Sequence, residues 1–600
     1  MEATAAMATE AYGPENLRAF LEEREPGEYT ELQEFYRNFS RTAESVKALA
    51  DACRNPEWRW PLAEAGFLSI LQSLSTAADE RDISQQILRF VANCCASNNE
   101  CRNFVLNDLG KLSACLKDDD LLEYTVVALN NICNDYEPAQ DAALKENVNG
   151  VLATALYKQD YHPDNPSVCL GTTLLVLLVD RAASIANVEQ VLTVSFLDDI
   201  LALPLKCHDF EMYTELMEMV ALLFLNETAQ RWIAQRGSMV DILKVLEDAY
   251  ARIDQRSGTT DANDSETEEE LEILRKYTDD IRAALCDIAG MPEYRKEKMR
   301  GNHFTAHKLE KWLAEWNCDW KMHTAALVLG NVTQSDAIAI TLVEDFELNH
   351  AVSGAIKSSK DKQVLHACAG LLRNLALPEN NAMVRASVET FVAARRLILH
   401  EDHDKRLFVS GLRLLRQCIR DFGACQLLIL KSPADSKLSL QTLTGFLIEH
   451  GEGDTHLKAE VGRAAVMMYR TLNRSKCPTV PNLLHILNTQ QQFIEAIVEL
   501  TIIGTDTHLE GEGWFGLALA SKLKDGALAV YRALRDLASV AKLIQRMQVK
   551  DVQTAGQDAG KTKENAKVLA ATLVDMIPDE LERDDLEALK GTGNGKVPVS

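Results

Sequence analysis

Aromatic residues make up only 6% of this 600-residue sequence, and glycine (29) and proline (15) are sparse as well. Leu, Ala and Glu dominate instead, a balance that starves strands of the side chains they prefer and favours helix. Long hydrophobic runs are also missing. The longest, LLVLLV at 174–179 and VALLFL at 220–225, fall far short of the roughly 20 residues that cross a bilayer. The N-terminus, MEATAAMATEAYGPEN, has no basic region followed by an apolar core, so no secretory signal is expected. The 14 cysteines form no CxxC pair, and Cys94 and Cys95 are adjacent, which suits neither a zinc site nor a disulfide framework. They read as small buried apolar residues of a reducing compartment, and a soluble, cytoplasmic protein is expected.

Positive charge is in deficit too: 63 basic against 89 acidic residues gives a formal net charge of -26. Such a surface repels nucleic acid and anionic lipid and attracts basic partners through a field that fades with salt. A basic protein segment is the natural ligand.

What is present is helix-forming residues in a repeating register. At 46% hydrophobic content the chain can bury a large core, yet it is too long for one compact domain, so a repeat array or several domains are expected. Asparagine inside an apolar helical run is unfavourable, because its side chain competes for nearby backbone groups. It nevertheless recurs. Gly330-Asn331, Arg373-Asn374 and Arg416-Gln417 are spaced by 43 residues, the armadillo or HEAT period. Upstream, Asn93 and Asn131 are 38 apart and Asn226 lies 95 further on; downstream, Arg470 falls 53 past Gln417, the excess matching the polar insertion KSPADSK at 431–437. The expected fold is all-α: an armadillo/HEAT-like right-handed superhelical solenoid of roughly eleven or twelve repeats with a concave binding groove.

Within that frame, residues 1–15 are expected to be disordered, 16–253 to form an N-terminal armadillo arm, and 254–273, polar and acidic, a flexible insertion. Residues 274–548 then form the C-terminal arm, 549–566 a linker, 567–590 terminal helices and 591–600 a tail.

Nothing in the sequence assembles into catalytic chemistry. GQDAGKT at 556–562 lacks the first glycine of a phosphate-binding loop, having Ala555 in its place, and follows no strand. His303 and His307, like His400 and His403, lack the further ligands a metal requires, so neither metal nor cofactor is expected. The acids are more informative: Glu211, Glu215 and Glu218 are spaced i, i+4, i+7 on one helical face, and Glu227 lies just past Asn226. They read either as a solvated face or as a cluster that meets a basic tail. Asn131, Asn226, Asn331, Asn374 and Gln417 likewise read either as bonds to the adjoining repeat or as a polar ladder offering donors and acceptors to a partner, and their recurrence favours the ladder.

In that register HTAALVLGNVTQSDAIAITLVED (323–345), LHACAGLLRNLALPENNAMV (365–384) and FVSGLRLLRQCI (408–419), with ALNNICNDYE and GRAAVMMYRTLNRS, resemble the SmgGDS-type armadillo family. The resemblance implies a monomeric chaperone and guanine nucleotide exchange factor for small GTPases of Rho or Rap type carrying a basic, prenylatable C-terminus. It implies GTPase contacts at Asn331 and Asn374 and a tail site at Glu211, Glu215, Glu218 and Glu227. The sequence departs from the pattern near position 179, where LLVLLVDRAAS has no ladder asparagine. Two rivals share the architecture. An import adaptor would place Trp four residues before each ladder asparagine, where this chain has Val127, Leu327 and Gly370; an armadillo scaffold of the ataxin-10 kind would need no such signature.

Overall fold

The computed structural model describes residues 14–591 apart from 24–28, 163, 185–193, 237–238, 258–264, 298–302, 403, 431–438, 451–452, 504–506 and 549–556. Among the described residues the chain is helical, with no β-strand. It divides into two compact units, residues 1–300 and 301–600.

A spine of six long helices runs through each unit. In the first they are α1 (Ala43–Ala52), α2 (Arg81–Cys95), α3 (Asp119–Cys133), α4 (Pro166–Ser184), α5 (Phe210–Leu225) and α6 (Ser265–Gly290). In the second they are α7 (Asp319–Val332), α8 (Lys362–Ala376), α9 (Lys405–Cys418), α10 (Thr455–Arg474), α11 (Thr507–Ala520) and α12 (Gln557–Met576). Within each unit every spine helix packs on the one before it and the one after it. Shorter helices fill the space between, so each layer buries an apolar stripe that no layer could bury alone. Twelve spine helices match the expected repeat number and make the chain an all-α solenoid of armadillo type.

Local chemistry starts these helices. Thr42, Asp118, Asp209, Asp361, Asp404 and Asp454 cap α1, α3, α5, α8, α9 and α10, each side chain accepting a backbone N–H of the first turn. Each such cap contributes about 1 kcal/mol. Gly462 lets α10 approach the Gln491–Ile502 helix, since a Cβ there would collide with the Ala496 carbonyl.

Packing on both sides leaves each spine helix a single narrow surface strip. On α8, Leu371, Leu372 and Leu375 are buried, while His366, Gly370, Arg373 and Asn374 are not. The strip chemistry is Glu211, Glu215 and Glu218 on α5, Val409, Arg413 and Arg420 along α9 and its C-terminal turn, and Arg463, Met467, Arg470 and Arg474 on α10.

Several expected boundaries are corrected. The helix Val240–Ser257 and α6, which begins at Ser265, occupy most of the expected insertion at 254–273; only 258–264 lie outside the described residues. The division between units falls at 300/301, not at that insertion. The expected linker at 549–566 is helical from Gln557, so GQDAGKT opens α12 from its second residue. A helix, Pro14–Glu23, begins within the expected disordered N-terminus, while residues 1–13 and 592–600 lie outside the described residues, as does His403. One helix, α4, is long and apolar enough to cross a membrane by length and composition. It lies instead between α3 and α5, with Leu174, Leu175 and Leu178 fully buried. All 14 cysteines are free thiols, ten of them buried.

Candidate functional site

The asparagines have a job inside the fold. Asn93 Nδ2 donates to the Ala50 carbonyl at 2.8 Å, Asn131 to Ala92 at 3.0 Å, Asn226 to Ala183 at 3.1 Å and Asn374 to Gly330 at 3.2 Å. Each acceptor lies in the last turn of the preceding spine helix, where carbonyls have no partner within the helix. The amide thus joins successive layers and satisfies an orphan acceptor. Where position 179 lacks an asparagine, Arg181 of α4 makes the link, gripping both Asp141 carboxylate oxygens at 2.7 and 3.0 Å and Glu137 at 2.9 Å. A second recurring device closes each layer. A buried side chain from the following short helix or turn returns to the carbonyls at the end of its own spine helix: Arg102 to Cys95, Gln140 to Cys133, Gln230 to Phe224 and Asn381 to Leu375.

The polar ladder thus has a structural role beside the one expected: Asn131, Asn226 and Asn374 each spend a donor on the preceding layer. Asn226 also caps the Glu227–Arg236 helix, its Oδ1 accepting from Thr228 and Ala229 at 2.9 and 3.2 Å. Asn331 lies half-buried in the last turn of α7, one layer before Asn374, whose Oδ1 accepts no bond among the described residues. Replacing Asn374 with Ala removes the link between layers but leaves the Gly330 carbonyl its bond from the Thr333 hydroxyl at 2.8 Å, and the expected loss is about 0.5–1.5 kcal/mol. A denaturation midpoint unchanged by Asn374→Ala would contradict the staple.

On α5 the structure brings Glu211, Glu215 and Glu218 onto one strip. None of the three is paired with a cation among the described residues. Burial, followed by the neighbouring carboxylates of Glu211, Glu218 and Asp209, raises the Glu215 carboxyl above its ordinary value. Like charge extends onto the following helix, α6, at Asp280. On α4 burial, then the carboxylates of Asp209 and Glu215, raise the Cys169 thiol, and on α6 burial, then Glu218 and Asp280, raise the Tyr277 phenol. Glu227 does not join them: it opens another helix and pairs with Arg231. The result is an acidic strip on α5 that continues onto α6 at Asp280, an addition the sequence register did not single out.

Gln417 lies elsewhere, 6% exposed, with its Oε1 accepting from Arg420 at 3.3 Å. Around it α9 and α10 converge on arginine. Glu460, 5% exposed, accepts from Arg413 Nε at 2.9 Å and Arg416 Nη1 at 3.1 Å. Beyond this triad Arg385, Arg420, Arg470 and Arg474 surround a surface pocket of about 620 Å³. Sequence reading passed over these arginines, although Arg373, Arg416 and Arg470 marked the repeat register. The signal was the arginine beside the ladder amide.

Residues 21–289, somewhat less than half the chain, match the BEM4-like N-terminal domain family, described as the BEM4 N-terminal domain. No curated protein matches the sequence. Three solved structures align along most of the chain. One, from work on the phosphorylation switch controlling the interaction between cadherin and β-catenin, covers 88% of this chain and 97% of its own at 13% identity, with a TM-score of 0.47. The crystal structure of SYS-1 covers 94% and 99% at 10% identity and a TM-score of 0.40. An engineered protein covers 91% and 98% at 14% identity and 0.28. At such identity and superposition the likeness says nothing of partners or activity.

Proposed function

We propose that the chain is a cytoplasmic protein-binding solenoid that takes small GTPases of Rho or Rap type by their basic C-terminal tail, as a chaperone and exchange factor. The observation that supports this most is the acidic strip of α5: Glu211, Glu215 and Glu218 face outward with no cation among the described residues near enough to pair. Such a strip carries repulsion that a docked lysine or arginine would relieve. Individual exposed pairs are worth a fraction of a kcal/mol to about 1, so a tail with several cations is required for useful affinity.

The GTPase body would lie against the half-buried strips of α7 and α8, where Asn331 and Asn374 sit, with the Asn374 Oδ1 as acceptor. No catalytic residue is needed for exchange. A surface that holds the nucleotide-free shape more tightly than the loaded one shifts the equilibrium by that difference in affinity. A scaffold that binds the same tail without exchange is the second reading, favoured by the engagement of the asparagine donors within the fold.

The test is to mix the protein with a Rho-type GTPase loaded with fluorescent nucleotide. Complex formation with accelerated release is expected. Complex formation with unchanged release would leave the chaperone or scaffold and remove the exchange factor, and no complex with tail-bearing GTPases would remove both.

A further inference from the structure

The chain is strongly acidic overall, yet its second unit presents a local surface of the opposite sign. The pocket of about 620 Å³ is lined by Arg385, Arg420, Arg470 and Arg474, against which, among the described residues, stand the acids Glu379 and Asp421. Both acids are already engaged. Glu379 pairs with Arg420 at 3.0 Å, and Asp421 caps the Phe422–Ile429 helix by accepting from Ala424 at 3.1 Å. Two of the arginines are fixed parts of the wall: Arg385 donates to the carbonyls of Ala376, Pro378 and Glu379, and Arg420 to that of Leu377.

Arg470 and Arg474 differ. They stand one turn apart on the exposed strip of α10, and neither has a hydrogen-bond or ion-pair partner among the described residues. Like charges at i, i+4 are unfavourable on a helix. The helix dipole favours Arg474, the last residue of α10, but that does not explain why Arg385 and Arg420 are gathered at the same place. Burial and the nearby Arg474 and Arg420 lower the affinity of Arg470 for its proton. Met467, Phe422 and Ala382 add apolar lining, and Gln417, Thr471 and Ser475 uncharged polar lining.

We propose that this pocket is a second protein-binding site, which receives an acidic segment of a partner through Arg470 and Arg474. A carboxylate-bearing segment suits it better than a lone phosphoryl group. The two unpaired guanidinium groups are spread along a helix turn, and the volume lies in the range of pockets that enclose whole ligands, roughly 300–1,000 Å³. The site is independent of the acidic strip on α5 and calls for a segment of opposite charge.

Fluorescence anisotropy of the full chain with a labelled glutamate-rich peptide tests this, with the glutamine counterpart, a phosphoserine peptide and inorganic phosphate as further arms. The glutamate peptide is expected to bind and its glutamine counterpart not to. Arg470→Ala with Arg474→Ala should weaken binding about tenfold or more, equivalent to about 1.4 kcal/mol. Arg470→Lys should retain most of it, and neutralising the α5 glutamates should leave it intact. Equal affinity in the double variant, or equal binding of the glutamine peptide, would overturn the proposal. So would binding confined to the phosphoserine peptide or to phosphate, which would make the pocket a phosphoryl site.

Discussion

Replacing Glu460 with alanine should cost about 3–5 kcal/mol, as much as truncating a fully buried aromatic side chain. Its carboxylate is buried and holds Arg413 and Arg416, with Arg463 at 3.9 Å. Removing it leaves Arg416, whose side chain is 11% exposed, buried next to the like charges of Arg463 and Arg373. An unpaired buried charge costs far more than an exposed pair contributes. A solenoid need not lose its structure all at once, because each layer touches only its neighbours. The loss should therefore appear first as faster amide exchange across α9 and α10 and then as a lower denaturation midpoint. Glu460→Gln keeps an acceptor for one arginine and should lie between wild type and alanine. A cost below about 1 kcal/mol for Glu460→Ala would mean that water reaches the triad.

The largest functional effect should come from neutralising α5. Glu211→Gln, Glu215→Gln and Glu218→Gln together should weaken the binding of a lysine-rich tail peptide about tenfold, each pair contributing about 0.2–1 kcal/mol. The difference between wild type and triple variant should shrink as salt is raised, since exposed charges are screened beyond a Debye length of about 10 Å at 0.1 M. Stability should not fall, because the substitutions remove mutual repulsion and are made on an exposed strip.

The pH dependence has a definite sign. The Glu215 carboxyl is raised in the folded protein, so the folded state binds its proton more tightly than the unfolded one does. Its contribution to stability is therefore favourable at low pH, and is lost as pH rises from the unfolded value through the folded one. Tail binding runs the opposite way. A docked cation favours the ionised carboxylate, so affinity should rise as pH rises through the titration of Glu215, with partial proton release. An isothermal titration repeated in buffers of different ionisation enthalpy would register that proton.

The repeat period was legible because each layer needs the same thing at the same place. The Asn93, Asn131 and Asn374 amides recur because the last turn of each preceding spine helix leaves carbonyls that must be satisfied. The same observation left their role open: a polar residue repeated along a solenoid can face a partner or the previous layer, and sequence spacing is identical for the two. Helix starts rich in acid were misread. SETEEELEI looks like a solvated loop, yet α6 runs from Ser265, and a carboxylate as near its N-terminus as Glu268 is favoured by the helix dipole. The Glu strip on α5 was legible from i, i+4, i+7 spacing, because a helix packed on both sides exposes one strip only. The arginine pocket was not legible, since it depends on Arg385, Arg420 and Arg470, which lie on separate elements and converge only when α9 and α10 pack.

The most direct measurement is a double-mutant cycle on the acidic strip: titration of a Rho-type GTPase, with its basic tail and with the tail lysines replaced by alanine, into wild type and the Glu211/Glu215/Glu218→Gln variant. If the tail docks on α5, either change alone weakens binding about tenfold and the two together weaken it little further, because they break the same contacts. If the losses simply add, or if the tail is dispensable for wild-type binding, the acidic strip is a solvated helix face and the tail, if it binds, does so elsewhere.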